Sequence, residues 1–228
     1  MIAKRKKLSK KQIKEDKLIT TYYQAVKFYE DNQSKILIGL GAVAVIIIAI
    51  VFYSNKAIED NINAGKSLTL VLEKFNDKKY QEAIDGVPGT NVIGFKAIVD
   101  NYGGTEQGEI AKVFLADCYS YLGKYDEALK YYEDYSGSNS LYKATAKAGE
   151  AACYESKGDN AKAASLFEKA ADVDENNIQN ANYLLRAGIN YMDAGDSAKA
   201  KELFETIKTD YSTTAAARDV TRYSVKVN

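Results

Sequence analysis

YSYLGKYDEALKYY, residues 119–132, returns as YESKGDNAKAASLF at 154–167 and as YMDAGDSAKAKELF at 191–204. The copies share a tyrosine (Tyr119, Tyr154, Tyr191), a glycine four residues on (Gly123, Gly158, Gly195), an alanine five beyond that (Ala128, Ala163, Ala200) and an aromatic four further (Tyr132, Phe167, Phe204). Successive glycines are 35 and 37 residues apart, near the period of about 34 at which helix–turn–helix units stack. Each shared residue has a role in such a unit. Glycine enters the left-handed region that ends a first helix, and alanine lets a second helix approach closely. The aromatic of the second helix then fills the gap beside the tyrosine of the first.

A fourth, degenerate copy lies upstream. Lys79-Tyr80-Gln81-Glu82-Ala83 matches Lys124-Tyr125-Asp126-Glu127-Ala128, which puts Ala83 at the alanine position with no glycine to open the turn. Phe95, Ile98, Tyr102 and Thr105 are echoed at the same spacing by Phe204, Ile207, Tyr211 and Thr214. The aromatic is therefore displaced by eight residues to Phe95, through an insertion in a stretch that holds Gly86, Gly89, Gly94 and the only proline, Pro88. This insertion is expected to be a loop interrupting the second helix, a place where repeat proteins often carry function.

The four copies resemble the tetratricopeptide (TPR) family. The resemblance implies an all-α chain in which residues 58–228 form one helical-hairpin solenoid of about four repeats, closed by a capping helix around 215–223. Stacked hairpins bury a continuous core that no single hairpin could bury, and a domain of this length hides roughly 70% of its unfolded surface without staples. Cys118 and Cys153 stand at equivalent positions of adjacent copies. Stacked helices are about 8–10 Å apart, beyond the roughly 7 Å that a disulfide tolerates between Cα atoms, so both are expected to be buried free thiols.

Ahead of the repeats, residues 36–53 read ILIGLGAVAVIIIAIVFY, 18 residues without a charge, where about 20 apolar residues suffice for a membrane-spanning helix. Ten of the 31 basic residues, among them Lys4, Arg5, Lys6, Lys7, Lys10 and Lys11, and four of the 31 acids fall in residues 1–35. That leaves +6 before the span and −6 after it, so the zero net charge conceals a strong asymmetry. By the positive-inside rule residues 1–35 are a cytoplasmic tail and the repeats are exported. A cleaved signal peptide is disfavoured by the length of that tail and by the lack of a small-x-small site after Tyr53. Tyr22, Val26 and Tyr29 share one helical face and predict an amphipathic juxtamembrane helix, either lying at the interface or running into the span. The basic cluster also fits an anionic-lipid or nucleic-acid site; its lack of interleaved aromatics favours topology alone, and no nucleic acid is taken as a partner. Gly39, Gly41, Ala42 and Ala44 offer small residues for close helix packing within the membrane, beside the simpler reading of a plain anchor.

Composition removes whole classes of chemistry. The chain has no histidine and two cysteines, which excludes His-based nucleophile systems, the commonest general acid–base residue and four-thiolate metal clusters. Asp172, Asp174 and Glu175 fall in an Asn-rich link and read as solvated loop, and no glycine spacing matches a phosphate loop. No catalytic residue, cofactor or metal is expected.

The TPR resemblance implies a partner-binding groove on the first helices, and its usual positions fall here on Leu68, Leu72, Ile110, Val113, Tyr121, Ala148, Ala152, Leu185, Ile189 and Met192. This stripe lacks the Lys/Asn/Arg clamp with which some TPR proteins hold a C-terminal carboxylate. Two readings of it stand: an open groove, or residues packed against neighbouring or terminal helices. A basic tail, one span and an exported TPR array together resemble the YfgM type of inner-membrane protein, most of all in residues 94–105, GFKAIVDNYGGT. That resemblance implies a non-enzymatic ancillary subunit of the SecYEG translocon, partnered by a PpiD-like periplasmic foldase or by exported polypeptide. The alternatives are a scaffold of another envelope assembly, such as division, secretion or motility machinery, or a regulator acting through its cytoplasmic tail.

The charge asymmetry makes a direct prediction. Protease added to spheroplasts should digest the chain beyond residue 53 and spare residues 1–35; protected repeats would reverse the orientation.

Overall fold

The computed structural model describes residues 10–224 and contains, among them, ten α-helices and no strand. They are α1 (Lys10–Asn76), α2 (Tyr80–Asp85), α3 (Phe95–Tyr102), α4 (Glu106–Tyr121), α5 (Tyr125–Glu133), α6 (Ser140–Ser156), α7 (Asn160–Ala171), α8 (Asn180–Asp193), α9 (Ser197–Asp210) and α10 (Ala215–Ser224). Two compact units, Met1–Lys56 and Ala57–Asn228, meet at a boundary inside α1.

In the first unit α1 holds the apolar run, whose most apolar 18-residue window has a mean hydropathy of 3.0 and no buried residue. Among the described residues it is the one helix long and apolar enough to cross a membrane. Gly39, Gly41, Ala42 and Ala44 are all exposed, and open space surrounds the two glycines. Tyr22, Val26 and Tyr29 lie on the same helix as the apolar run, and this helix is continuous from Lys10 to Asn76. Lys4, Arg5, Lys6 and Lys7 lie outside the described residues.

The second unit is a row of helical hairpins. α4 pairs with α5, α6 with α7 and α8 with α9, and α10 packs on α8 and α9 as a cap. The shared residues of the repeat take the places their chemistry dictates. Gly123, Gly158 and Gly195 adopt φ of 74°, 81° and 87° at the ends of α4, α6 and α8. The residue after each of the last two caps the next helix: the Asp159 carboxylate accepts from the Lys162 N–H and Asp196 from that of Lys199. Ala128, Ala163 and Ala200 are wholly buried, as are Phe167 and, within 4% exposure, Tyr132 and Phe204.

The degenerate hairpin begins within α1 and has its second helix in two pieces. α2 ends at Asp85, residues 86–94 turn back on themselves through an antiparallel bridge between Gly86 and Ile93, and α3 resumes with Phe95. Ala83 and Phe95 are both wholly buried, at the places the other repeats give their alanine and aromatic. The missing turn glycine is replaced by Lys78, the one non-glycine among the described residues with positive φ, at 61°.

Four hydrophobic clusters follow one another along the row, the first around Val71, Ile84, Phe95, Ile98 and Leu115 and the last around Ala200, Phe204, Ile207 and Val220. The links between hairpins differ in chemistry. Between the first two regular hairpins, buried Lys112 binds buried Glu109 at 2.7 Å and Asp134 at 2.8 Å, while the other Glu109 oxygen accepts from the Ser136 N–H at 2.7 Å. Between the second and third, the ion pairs are part-exposed, Arg186 with Glu155 and Lys199 with Glu168 at 3.2 Å, and beside them Ser140 donates to Asp174 and the Asn180 amide to the carbonyls of Asp174 and Glu175. Cys118 and Cys153 are wholly buried and unpaired. Burial, with the nearby Asp117 charge, pushes the Cys118 thiol up to about 12, and burial raises Cys153 to about 11.

A left-handed conformation costs an ordinary residue about 1–2 kcal/mol, and glycine's extra freedom when unfolded returns roughly half of that. Because Lys78 is exposed, Lys78→Gly should stabilise the domain by about 1 kcal/mol, raising Tm by about 2–4 °C. Gly123→Ala, in open space, should lower stability by a similar amount in the same denaturation experiment.

Candidate partner-binding cleft

The first helices of the three regular hairpins stand side by side, and between them lies a cleft of about 300 Å³. α4 contributes Asp117, Ser120 and Tyr121, α5 Tyr132, α6 Thr145, Ala148, Gly149 and Ala152, and α8 Tyr183 and Arg186. The floor exists because Gly149 has no side chain: a Cβ there would collide with the ring of Tyr132. With α5 able to press this ring against α6, the Tyr132 hydroxyl reaches Asp117 and donates to its Oδ1 at 2.5 Å.

The walls differ in character. On one side Tyr121, 63% exposed, stacks on Tyr80 with centroids 4.8 Å apart and leans on Phe75 at 6.1 Å. Phe75 continues the aromatic row to Phe114 at 5.2 Å, and Phe114 to Tyr142 at 6.2 Å. On the opposite side Arg186 pairs with Glu155 and rests 4.2 Å above the ring of Phe167. The Asn190 amide, buried, completes this side by donating to Glu155 at 2.6 Å and to the Arg186 carbonyl.

Electrostatically the floor is the unusual part. Burial raises the Asp117 carboxyl from its ordinary 3.8 to about 6, against the opposing pull of the Tyr132 hydrogen bond. The Tyr132 hydroxyl is driven far upward by burial and by the Asp117 charge. A strongly perturbed carboxyl in a cleft marks a candidate functional site.

The residues expected to line the groove are distributed unevenly. Tyr121, Ala148 and Ala152 come together in this cleft. Leu68, Ile110 and Val113, at 5%, 7% and 1% exposure, belong to the core instead, with Leu72 packed against it. Leu185, Ile189 and Met192 are half-buried against the cluster that α10 closes through Ala216 and Val220. The physical reason is stacking: each first helix touches its own partner and also the next first helix, so part of its outward stripe is covered by the neighbour. At the last hairpin, the cap is that neighbour. Asp117, Tyr132, Gly149, Tyr183 and Arg186 were not expected as cleft residues. The signal for Asp117 was present, since it is the equivalent of Ala152 and Ile189 two residues before the repeat tyrosine.

Two family models match the chain, both described as tetratricopeptide repeat, over residues 113–135 and 183–214. The first covers the end of α4 and all of α5, the second most of α8 and all of α9. These segments are protein-interaction repeats, and they flank the cleft on both sides. Comparison with curated proteins and with solved structures gave no match.

The raised Asp117 has a consequence for stability. The folded state holds this proton up to about pH 6 and the unfolded chain only to about 3.8, so the penalty is absent below pH 4 and complete above pH 6. By linkage it amounts to about 3 kcal/mol at most. Asp117→Asn should therefore raise the unfolding free energy at pH 7 and leave it nearly unchanged at pH 4, as read from denaturant titrations at the two pH values.

Proposed function

We propose that the chain is a membrane-anchored, non-enzymatic TPR scaffold that receives a protein partner in the cleft between α4, α6 and α8. The observation that carries this reading is the cleft itself: an open, aromatic-walled hollow spanning three successive hairpins of a repeat that serves protein interaction. The apolar run of α1 acts as the anchor, with residues 1–35 cytoplasmic and the repeats on the exported side of a bacterial inner membrane, in keeping with the charge asymmetry and the positive-inside rule. The partners proposed are the SecYEG translocon and a PpiD-like foldase, or polypeptide emerging from the translocon. Support for them is the likeness in plan to YfgM-type proteins. Gly39, Gly41, Ala42 and Ala44, exposed on α1, are the proposed contact with other membrane helices.

Anchoring gives such a scaffold its mechanism. A tethered module meets a neighbouring partner at high effective concentration, so modest intrinsic affinity suffices. Tyr121 is the natural anchor point within the cleft, being a large aromatic side chain already held in place by Tyr80 and Phe75.

Affinity purification from native membranes in mild detergent tests both levels of the proposal. The unaltered chain should recover translocon subunits together with a foldase; recovery of a different envelope complex instead would replace that assignment. Tyr121→Ala should lose most of the partner while costing about 1 kcal/mol of stability, the value of an exposed aromatic pair. Val113→Asp, which places a carboxylate in the core, should unfold the domain, since an unpaired buried charge outweighs most single-site effects.

A further inference from the structure

The first regular hairpin departs from its two sisters at two positions that meet. Tyr132 stands where the others have Phe167 and Phe204, and Asp117 where they have Ala152 and Ile189. The two substitutions are joined by the 2.5 Å hydrogen bond on the cleft floor. A phenylalanine and an alanine would pack there without the desolvation that Asp117 suffers, so this pair weakens the fold at neutral pH.

The charge is also uncompensated. Burial and the Tyr132 hydroxyl account for the whole shift of Asp117, with no basic side chain contributing. Arg186 is the basic residue of the cleft, and it is committed to Glu155 and to the face of Phe167. Around the carboxylate lie features suited to a long cationic side chain. The exposed ring of Tyr121 offers an aromatic face, Ala148 and Ala152 an apolar bed for an alkyl stem, and the hydroxyls of Ser120 and Thr145 further acceptors.

We propose that Asp117 and Tyr132 form a subsite for a lysine or arginine side chain of a bound polypeptide, its cationic head pairing with the Asp117 carboxylate and its stem lying along Tyr121, Ala148 and Ala152. This rests on the reading of the cleft as the partner site and adds a chemical requirement to it: the segment received is basic. The polarity is the reverse of a carboxylate clamp. Complementary charge favours such an occupant, because the chain beyond residue 53 carries 27 acids against 21 basic residues.

Acidity should switch the subsite. The groups facing Asp117 are Cys118 and Tyr121 on its own helix, Tyr132 on α5, Cys153 on α6 and Tyr183 and Arg186 on α8. The tyrosines and thiols among them are all shifted upward, the thiols to about 11 and 12, so a pH profile between 5 and 7.5 reports Asp117.

The test uses the full chain in mild detergent and three rhodamine-labelled alanine-based decapeptides, carrying two lysines, two Nε-acetyl-lysines or two glutamates. The lysine peptide should bind best by anisotropy. Its affinity should fall about tenfold or more in Asp117→Asn, which removes a charge-assisted contact, and about tenfold between pH 7.5 and pH 5 in the unaltered chain as the carboxylate is protonated. Equal binding of the acetylated peptide, preference for the glutamate peptide, binding of none of the three, or an Asp117→Asn variant as tight as the original would each overturn the proposal. Tyr121→Ala, assayed for partner recovery from membranes, separates the two claims. If it loses the partner while Asp117→Asn does not, the cleft remains the partner site and the cationic subsite is refuted; if neither loses it, the cleft reading falls as well.

Discussion

Ala83, Ala128, Ala163 and Ala200 bring the paired helices of each hairpin together, and each is wholly buried. A methyl group at this contact permits an approach that a longer side chain would prevent, and the approach decides where everything else sits. It places an aromatic from the second helix between the two backbones, aligns the first helices side by side and leaves a repeating interval for the next hairpin. Four clusters then follow one another instead of converging on a single centre. In such an array a residue's burial depends on the hairpin that follows it as much as on its own.

That dependence explains why the cleft occurs in the middle of the row. Toward α1 the first helices are covered by large aromatic and aliphatic side chains, and toward α10 by the cap. Between them, where Gly149, Ala148 and Ala152 line the junction together with Asp117, short side chains leave a hollow. Tyr132 is central to it, because its ring supports the junction with α6 and its hydroxyl furnishes the floor. Packing and the shaping of the cleft are therefore combined in one side chain.

Much of this was legible before any coordinates. The three turn glycines, the four alanines and the interruption by residues 86–94 follow from steric demands that act within a hairpin, and short-range demands leave strong marks in sequence. Lys78 was harder to see, since a left-handed lysine is tolerated only because the hairpin around it enforces the turn. Ile110 and Val113 were expected in the groove and lie in the core, Ile110 among side chains of α1 to α3 and Val113 among those of α5 and α6, because the rotation of the helices that cover them is not written in the local pattern. Asp117 was missed for a related reason. A polar residue on a helix surface looks solvated until a side chain from another helix, here Tyr132, covers it.

The unlike links between hairpins carry a consequence for how the array can be remodelled. Lys112, Glu109 and Asp134 clasp the first regular hairpin to the chain leading into the second, with Glu109 and Lys112 both buried. Severing that clasp strands a buried charge, a loss of about 3–5 kcal/mol. The seam before α8 has an apolar cluster around Phe167 and Ala187, and its polar links are amide and hydroxyl groups and the part-exposed Arg186–Glu155 and Lys199–Glu168 pairs, whose partners water can replace. The junction of α4–α5 with α6–α7 is thus the more sensitive of the two to loss of a single polar group. Remodelling the array there would require the buried clasp to be replaced as a set, since removing one member leaves another charged and buried.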